Sequence, residues 1–179
     1  MLQLRDMTEN DIEDYVRWFT TETEWMKTDA PWEFEGTEGE TTAEAERAAW
    51  TEYYESVRQL PKEATRWKFE IDSDGRHVGW VSCYDDLEYV DNPEQIPAVG
   101  IDIPAVDVHN RGIATQALRL YLTYLKERGF RTAYTQTWSG NYAMLRVAEK
   151  LGFVEAYRKK NHRTVRGELF DAVTLRLEL

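Results

Sequence analysis

A chain of 179 residues with 42% hydrophobic residues and seven tryptophans has the apolar surface for one packed domain, which at this size buries roughly 70% of what the unfolded chain exposes. A formal net charge of −11 opposes non-specific nucleic-acid binding, which depends on clustered lysine and arginine, and is compatible with a cationic acceptor as well as with plain solubility. The single cysteine, Cys83, excludes an intrachain disulfide and a multi-cysteine metal site and fits a reducing compartment.

The start, Met1-Leu2-Gln3-Leu4-Arg5-Asp6, has no basic segment followed by an apolar one, and no apolar run reaches the roughly 18 residues that span a bilayer. The expectation is one domain over residues 1–179, cytoplasmic, without membrane or nucleic-acid partners, as a monomer or homodimer. Leu2 and Leu4 alternate with polar neighbours as a first strand. Thr8-Glu9-Asn10-Asp11 is a loose capping box, and Ile12, Tyr15, Val16 and Phe19 follow at helical spacing. From 20 to 40 periodicity stops, and Glu22, Glu24, Asp29 and Glu33 mix with Trp25, Trp32 and Phe34. This stretch reads as a surface loop pinned by its tryptophans, or as a pocket wall that holds a cation by carboxylates and aromatic faces.

Thr41-Thr42-Ala43-Glu44 opens a second helix with Ala45, Ala49, Tyr53 and Val57 on one face, ending before Pro61. Trp67, Phe69 and Ile71 alternate as a strand, Asp74-Gly75 turns a hairpin, and residues 77–84 run back. The acidic stretch 85–95 is a loop. Residues 98–103, between Pro97 and Pro104, form a short apolar strand that feeds a loop, His109-Asn110-Arg111-Gly112, and then a helix with Ala114, Leu118, Tyr121 and Leu125 on one face and a stop at Gly129. Free backbone N–H groups and the macrodipole at such a helix start suit a phosphate, and Gly112 permits close approach; the same residues also suit plain packing.

Residues 131–137 form the next strand. Asn141 then leads a helix with Met144, Ala148 and Leu151 on one face and a stop at Gly152. Residues 153–160 and 170–177 form the last pair of strands, with Arg166-Gly167 near their connection. The order is βααβββαβαββ, an α/β (α+β) pattern with a mixed sheet of about seven strands and about four helices.

His109-Asn110-Arg111-Gly112-Ile113-Ala114, with the helix that runs from Asn141 to Glu149-Lys150-Leu151-Gly152-Phe153, resembles the GNAT superfamily of acetyl-CoA-dependent N-acetyltransferases. The likeness is nearest to the branch with ribosomal-protein N-terminal and spermidine acetyltransferases. In that family a loop Arg/Gln-x-x-Gly-x-Gly/Ala binds the CoA pyrophosphate, and the Asn-led helix lies beside the pantetheine arm. Here His109 stands at the Arg/Gln position. Ala148 stands where many members carry the tyrosine proposed to protonate the departing thiolate.

The resemblance implies the GNAT fold, acetyl-CoA as cosubstrate without a metal, and transfer of acetyl to a primary amine, a small molecule or a protein N-terminus, by direct attack in a ternary complex. A CoA-binding GNAT fold without turnover is the alternative that Ala148 leaves open. Pantetheine and the thioester fall on residues 101–106, Ile103 and Val106 among them. Val108 and the amides of Arg111, Gly112, Ile113, Ala114 and Thr115 take the rest of the cofactor, with Asn141 near the pantetheine arm. The loop between the first two helices lines the acceptor site, which assigns Glu24, Trp25, Asp29 and Trp32, with Tyr84, to the acceptor. Attack needs a base within reach of the amine, and Asp102 on the central strand is the expected one, ahead of Tyr84 and Glu24. His109 and His162 do not approach metal-ligand spacing with His77. Ser139 is either a donor to the thiolate or a helix cap.

Overall fold

The computed structural model, which describes residues 1–35, 41–84, 86–92 and 94–179, contains the strand expected from the alternation of Trp67, Phe69 and Ile71 and buries both of its faces at Glu70, Ile71 and Asp72. The strands β1 (Leu2–Arg5), β2 (Lys68–Ser73), β3 (Arg76–Tyr84) and β4 (Ala98–Asp102) pair antiparallel in turn. Next come β5 (Thr132–Trp138), parallel to β4, and the antiparallel hairpin of β6 (Val154–Val165) and β7 (Glu168–Glu178). The sheet order is β1-β2-β3-β4-β5-β7-β6.

Ile71, Val81 and Val99 face an aliphatic core under α4 (Ile113–Glu127) and α5 (Tyr142–Leu151), with Leu118, Leu125 and Ala148. Trp80 faces the opposite way, into an aromatic core with Tyr15, Trp18 and Trp25. That second core lies under α1 (Asp11–Thr20) and α3 (Ala43–Val57). Lys68, Glu70 and Asp72, the polar alternates of β2, therefore do not face open water. Glu70 is 1% exposed.

Ile12, Tyr15 and Val16 of α1 are buried as their spacing predicts, and Trp18 joins them. Each aliphatic side chain so buried contributes about 1.5–3 kcal/mol. The predicted inner face of α3 is offset. Ala45 and Ala49 are exposed, and Ala43, Trp50, Tyr53 and Val57 pack inward, because the large ring of Trp50 stacks on Tyr15 at 3.7 Å and sets the rotation of the helix.

Among the described residues five helices occur rather than about four. The extra one is α2 (Pro31–Phe34), preceded by a 3-10 turn at Thr23–Lys27, and Pro31 supplies the fixed φ that suits a first helical position. Residues 36–40 of the expected loop, and 85 and 93 of the acidic stretch, lie outside the described residues. The last two strands run longer than the apolar alternation predicts. β6 continues to Val165 through residues exposed over most of its length, held by pairing to β7 rather than by burial.

Candidate active site

β4 and β5 share one registered pair, Ala98 with Tyr134. The amide of Tyr134 donates to Pro97 at 2.8 Å, and the Thr135 hydroxyl donates to the Val99 carbonyl at 2.8 Å. Beyond that point β5 continues along β7, and β4 has no strand partner on that side among the described residues. Two parallel strands joined at one end only leave a wedge, and a cleft of about 550 Å³ occupies it.

Ile101, Asp102 and Ile103 form one wall of the cleft, Asn141, Met144 and Val147 of α5 the other, and the start of α4 closes its end. Gly112 caps α4 with φ +79 and no side-chain hydrogen bond, and the first turn of α4 holds no acid. The first turns of α1 and α3 carry Asp11, Glu13 and Asp14, and Glu44 and Glu46. The positive end of the α4 dipole is thus left uncompensated beside the cleft, a fit for an anion such as a pyrophosphate. Among the expected cofactor residues, Ile103, Val108, Gly112, Ile113, Ala114, Thr115 and Asn141 line the cleft. Val106 and Arg111 are exposed and are not in its lining, because the 3-10 turn Val106–Val108 brings Val108, rather than Val106, inward.

Asn141 caps α5, its Oδ1 accepting from the Met144 amide at 3.0 Å. Ser139 is neither the cap nor in the cleft lining; its hydroxyl oxygen accepts from the Asp171 amide of β7 at 2.9 Å. Asn141→Ala is therefore expected to weaken acetyl-CoA binding, measured by isothermal titration, through loss of about 1 kcal/mol of capping at the cleft wall. Ser139→Ala should leave that affinity unchanged.

A second space of about 260 Å³ adjoins the first, lined by Asp29, Trp32, Glu33, Tyr84, Glu88 and Arg163 among others. Trp138 builds the boundary. Its indole N–H donates to the carbonyls of Thr28 at 3.2 Å and Asp29 at 3.0 Å, tying the loop ahead of α2 to the end of β5. Gly140 permits this, since a Cβ there would stand 1.9 Å from the Trp138 ring. Gln136 holds the facing loop by a pair of hydrogen bonds to the backbone of Glu88, at 2.8 and 3.1 Å. Arg163 pairs with Glu88 and lies 4.2 Å over the Trp32 ring.

Asp29, Trp32 and Tyr84 of the expected acceptor residues thus line this cavity, with Asp29 also in the cleft. Two do not. Glu24 is exposed and paired with Lys27 at 2.6 Å, within the short reach of one 3-10 turn. Trp25 is buried in the aromatic core, donates to the Trp18 carbonyl at 3.1 Å, and touches the cleft rather than the cavity. Glu88, Gln136 and Arg163 come from segments with no apolar period or motif to mark them, and only pairing of distant strands brings them together.

Asp29 and Asp102 both line the cleft where the two spaces meet, and each carboxyl acts on the protonation of the other. The protein packed around Asp29 and then the charge of Glu33 push its carboxyl up to about 6, against the side chain of Asp102; water reaches it from the open spaces on either side. Asp102, half buried, is held well above the usual carboxylate range, by burial first and then by the charge of Asp29, against the charge of Lys68. Lys68 itself sits among four rings, 4.3 Å from Trp50, 4.4 Å from Tyr15, 4.9 Å from Trp80 and 5.0 Å from Tyr53. Burial brings its ammonium down to about 8 although Glu70, Asp102 and Asp11 oppose this.

Away from both spaces, Asp11, Asp14 and His77 bring ligand-type atoms within 4.8 Å of one another. Arg5 already grips both oxygens of Asp11 at 2.7 Å, and His77 is held protonated, so positive charge is present there without an ion.

No curated protein sequence matches the chain. Among solved structures, a ribosomal L7/L12 α-N-protein acetyltransferase in complex with coenzyme A superposes with a TM-score of 0.74 at 17% identity, covering 99% of this chain and 94% of that one. The ribosomal-protein-S5-alanine acetyltransferase of Vibrio fischeri gives 0.73 at 17% identity over 99% and 92% of the two chains. A putative acetyltransferase of Salmonella typhimurium with acetyl-CoA gives 0.70 at 15% identity over 100% and 94%. At these identities the likeness is one of fold. No helix among the described residues is long and apolar enough to cross a membrane. Residues 1–154 match the acetyltransferase (GNAT) domain model, and the chain belongs to that family.

Proposed function

We propose that the chain, as one domain over residues 1–179, moves an acetyl group from acetyl-CoA to a primary amine by direct attack in a ternary complex. The observation that carries this reading is the meeting of two unlike spaces at Asp29: a cleft that ends on an uncompensated helix start, and a cavity rich in carboxylates. Acetyl-CoA would lie in the cleft with its pyrophosphate on the amides from Gly112 to Thr115 and its pantetheine along the unpaired edge of β4. That edge presents backbone N–H groups to the thioester, which suits the oxyanion of a tetrahedral intermediate. Positioning both reactants is the larger part of what such a site supplies.

The acceptor arrives as a cation. Asp29, Glu33, Asp86 and Glu88 line the cavity against one guanidinium, Arg163, which Glu88 neutralises. A protonated amine must shed one proton before attack and a second as the C–N bond forms, and the Asp29–Asp102 pair is the group at the junction able to take a proton from the attacking nitrogen. The acidic cavity suits an amine that arrives protonated, and protein N-termini and small amines both belong to that acceptor class.

The test is release of CoA thiol from acetyl-CoA across a panel of primary amines, peptide N-termini and hydroxyl compounds. Turnover with an amine is the expected result. Binding of acetyl-CoA with no turnover across the panel would favour the idle alternative, which rests on Ala148 alone. Glu33→Gln and Asp86→Asn should each raise KM for the amine by up to roughly fivefold, the size of a partly exposed charge pair, and leave CoA affinity unchanged. Unchanged amine KM with weakened CoA binding would place the acceptor elsewhere.

A further inference from the structure

Ala148 leaves the departing thiolate without the phenol expected at its position, and the structure removes the obvious substitutes. Ala148 is fully buried in the aliphatic core, so its place on α5 does not open to the cleft. Ser139 is turned to the Asp171 amide. Tyr84 lines the acceptor cavity and not the cofactor cleft. What does stand in the cleft is a pair of carboxyl groups, Asp29 and Asp102, only the first of which also faces the acceptor cavity.

We propose that Asp29 and Asp102 act as one acid–base pair. Asp29, common to both spaces, takes the proton of the attacking amine, and Asp102, in the cofactor cleft alone, gives its proton to the departing CoA sulfur. This rests on the function proposed above and divides the proton work that the sequence assigns to Asp102 as a lone base. A cationic acceptor first loses one proton to solvent. The neutral nitrogen then attacks the thioester carbon, forming the C–N bond, and the nitrogen's second proton passes to the Asp29 carboxylate. Collapse of the tetrahedral intermediate breaks the C–S bond, its electron pair goes to sulfur, and sulfur takes the Asp102 proton. A proton then passes from Asp29 to Asp102, which restores both groups. One proton enters the pair and one leaves it in each turnover.

Two carboxyl groups in contact cannot both ionise at low cost, so the pair retains one proton over a window of pH. The surroundings set which group holds it. Glu33 on α2 and Tyr84 on β3 face Asp29, and Lys68 on β2 faces Asp102; His109, 2.7 Å from the Ile103 carbonyl, lies on the Asp102 side of the cleft, and Arg146 and Lys150 reach it from the far wall. Asp29 ionises first, near 6, while the half-buried Asp102, beside the Asp29 charge, keeps its proton above the carboxylate range. The base thus lies on the amine side and the acid on the cofactor side.

The test compares Asp29→Asn and Asp102→Asn with the wild type in kcat against pH, using acetyl-CoA and the best amine of the panel, with CoA affinity measured alongside. The wild type should give a bell: activity is lost at acid pH when both groups are protonated and at alkaline pH when both are ionised. Each variant should lose roughly 10²- to 10⁴-fold in kcat with CoA affinity unchanged, Asp29→Asn without the acid limb and Asp102→Asn without the alkaline one. Asp29→Glu should recover part of the rate. Either variant within roughly threefold of the wild-type kcat, or a loss in both with the bell intact, would overturn the pairing while leaving the acetyltransferase reading standing. A wild type that acetylates no amine would overturn that reading, and the pairing with it.

Discussion

Gly112→Val is expected to abolish the stabilisation that acetyl-CoA gives the folded chain. At a free concentration a hundred times its dissociation constant, a ligand that binds only the native state adds about 2.7 kcal/mol, which a thermal melt resolves as a shift of several degrees. Two separate effects act at this residue. With φ at +79, Gly112 occupies the left-handed region, where a β-branched residue costs on the order of 1–3 kcal/mol in the free protein. A Cβ there has room, since the nearest atom is Nε2 of Gln116 at 3.9 Å, so the fold should survive the change. The room it takes up lies in the cleft lining, against the helix-start amides. Gly112→Asn separates the two effects, because asparagine tolerates the left-handed region better than valine. It should melt nearer the wild type and still lose most of the cofactor shift. If Gly112→Val kept the full shift, the pyrophosphate would have to be held elsewhere.

The cleft of the candidate site was legible in the sequence because it is local. A strand between two prolines, a loop with Gly112 and a helix with an apolar face run without interruption from residue 98 to 127, and the cleft forms along that run. The Asn-led helix is a second continuous piece, so one wall and the end of the cleft could be placed residue by residue. The adjoining cavity was legible only in part, because Asp29 and Trp32 share a segment whereas Gln136, Arg163 and Glu88 meet them through the order of β5, β7 and β6 and a loop from before β4. No period in the chain encodes that meeting. Glu24 and Trp25 show the limit of composition as a guide, since residues of one stretch went to solvent, to the core and to the cavity within six positions.

The aromatic core was not legible, for a different reason. Alternation of Trp67, Phe69 and Ile71 marks a strand and does not say what covers its polar face. Here α1 and α3 cover that face, and the polar residues of β2 are buried because they find partners: Tyr15 donates to Glu70 at 2.6 Å, and Arg5 donates to Asp72 at 3.5 Å. A buried ionic group looks like a solvated one in a sequence, and the partners that distinguish them lie tens of residues away.

That buried cluster leads to the last expected result, a loss of roughly 3–5 kcal/mol of stability in Glu70→Ala, a large fraction of the 5–15 kcal/mol that holds a domain of this kind. Glu70 accepts from the Tyr15 hydroxyl at 2.6 Å and contacts Nε2 of His77 at 3.0 Å, while Nδ1 of His77 meets Asp14 at 3.0 Å and Asp11 at 3.3 Å. Burial alone would lower the His77 imidazolium, but hydrogen bonds to Asp14 and Glu70 and the charges of Glu70 and Asp11 push it up to about 9. Its folded value then lies above its ordinary 6.5, so the folded state holds the extra proton and the stabilisation is complete below pH 6.5. It is lost as pH rises through 9, and amounts to something on the order of 3 kcal/mol for this 7% exposed side chain. Lys68 acts with the opposite sign, but only above 8, where its folded ammonium has released a proton that the unfolded chain keeps. Between pH 6.5 and 8 His77 and the raised Asp102 both hold a proton that the unfolded chain lacks, so it is the difference between the wild type and His77→Gln in urea unfolding that isolates the histidine: the wild type should weaken across that interval, and His77→Gln should weaken distinctly less. Glu70→Gln, which preserves a hydrogen-bonding oxygen and removes the charge, should fall between the wild type and Glu70→Ala and show a shallower dependence on pH. Equal slopes in the wild type and His77→Gln would mean that His77 is neutral in the folded protein, and the charge balance of the second core would have to be redrawn around Arg5 and Lys68.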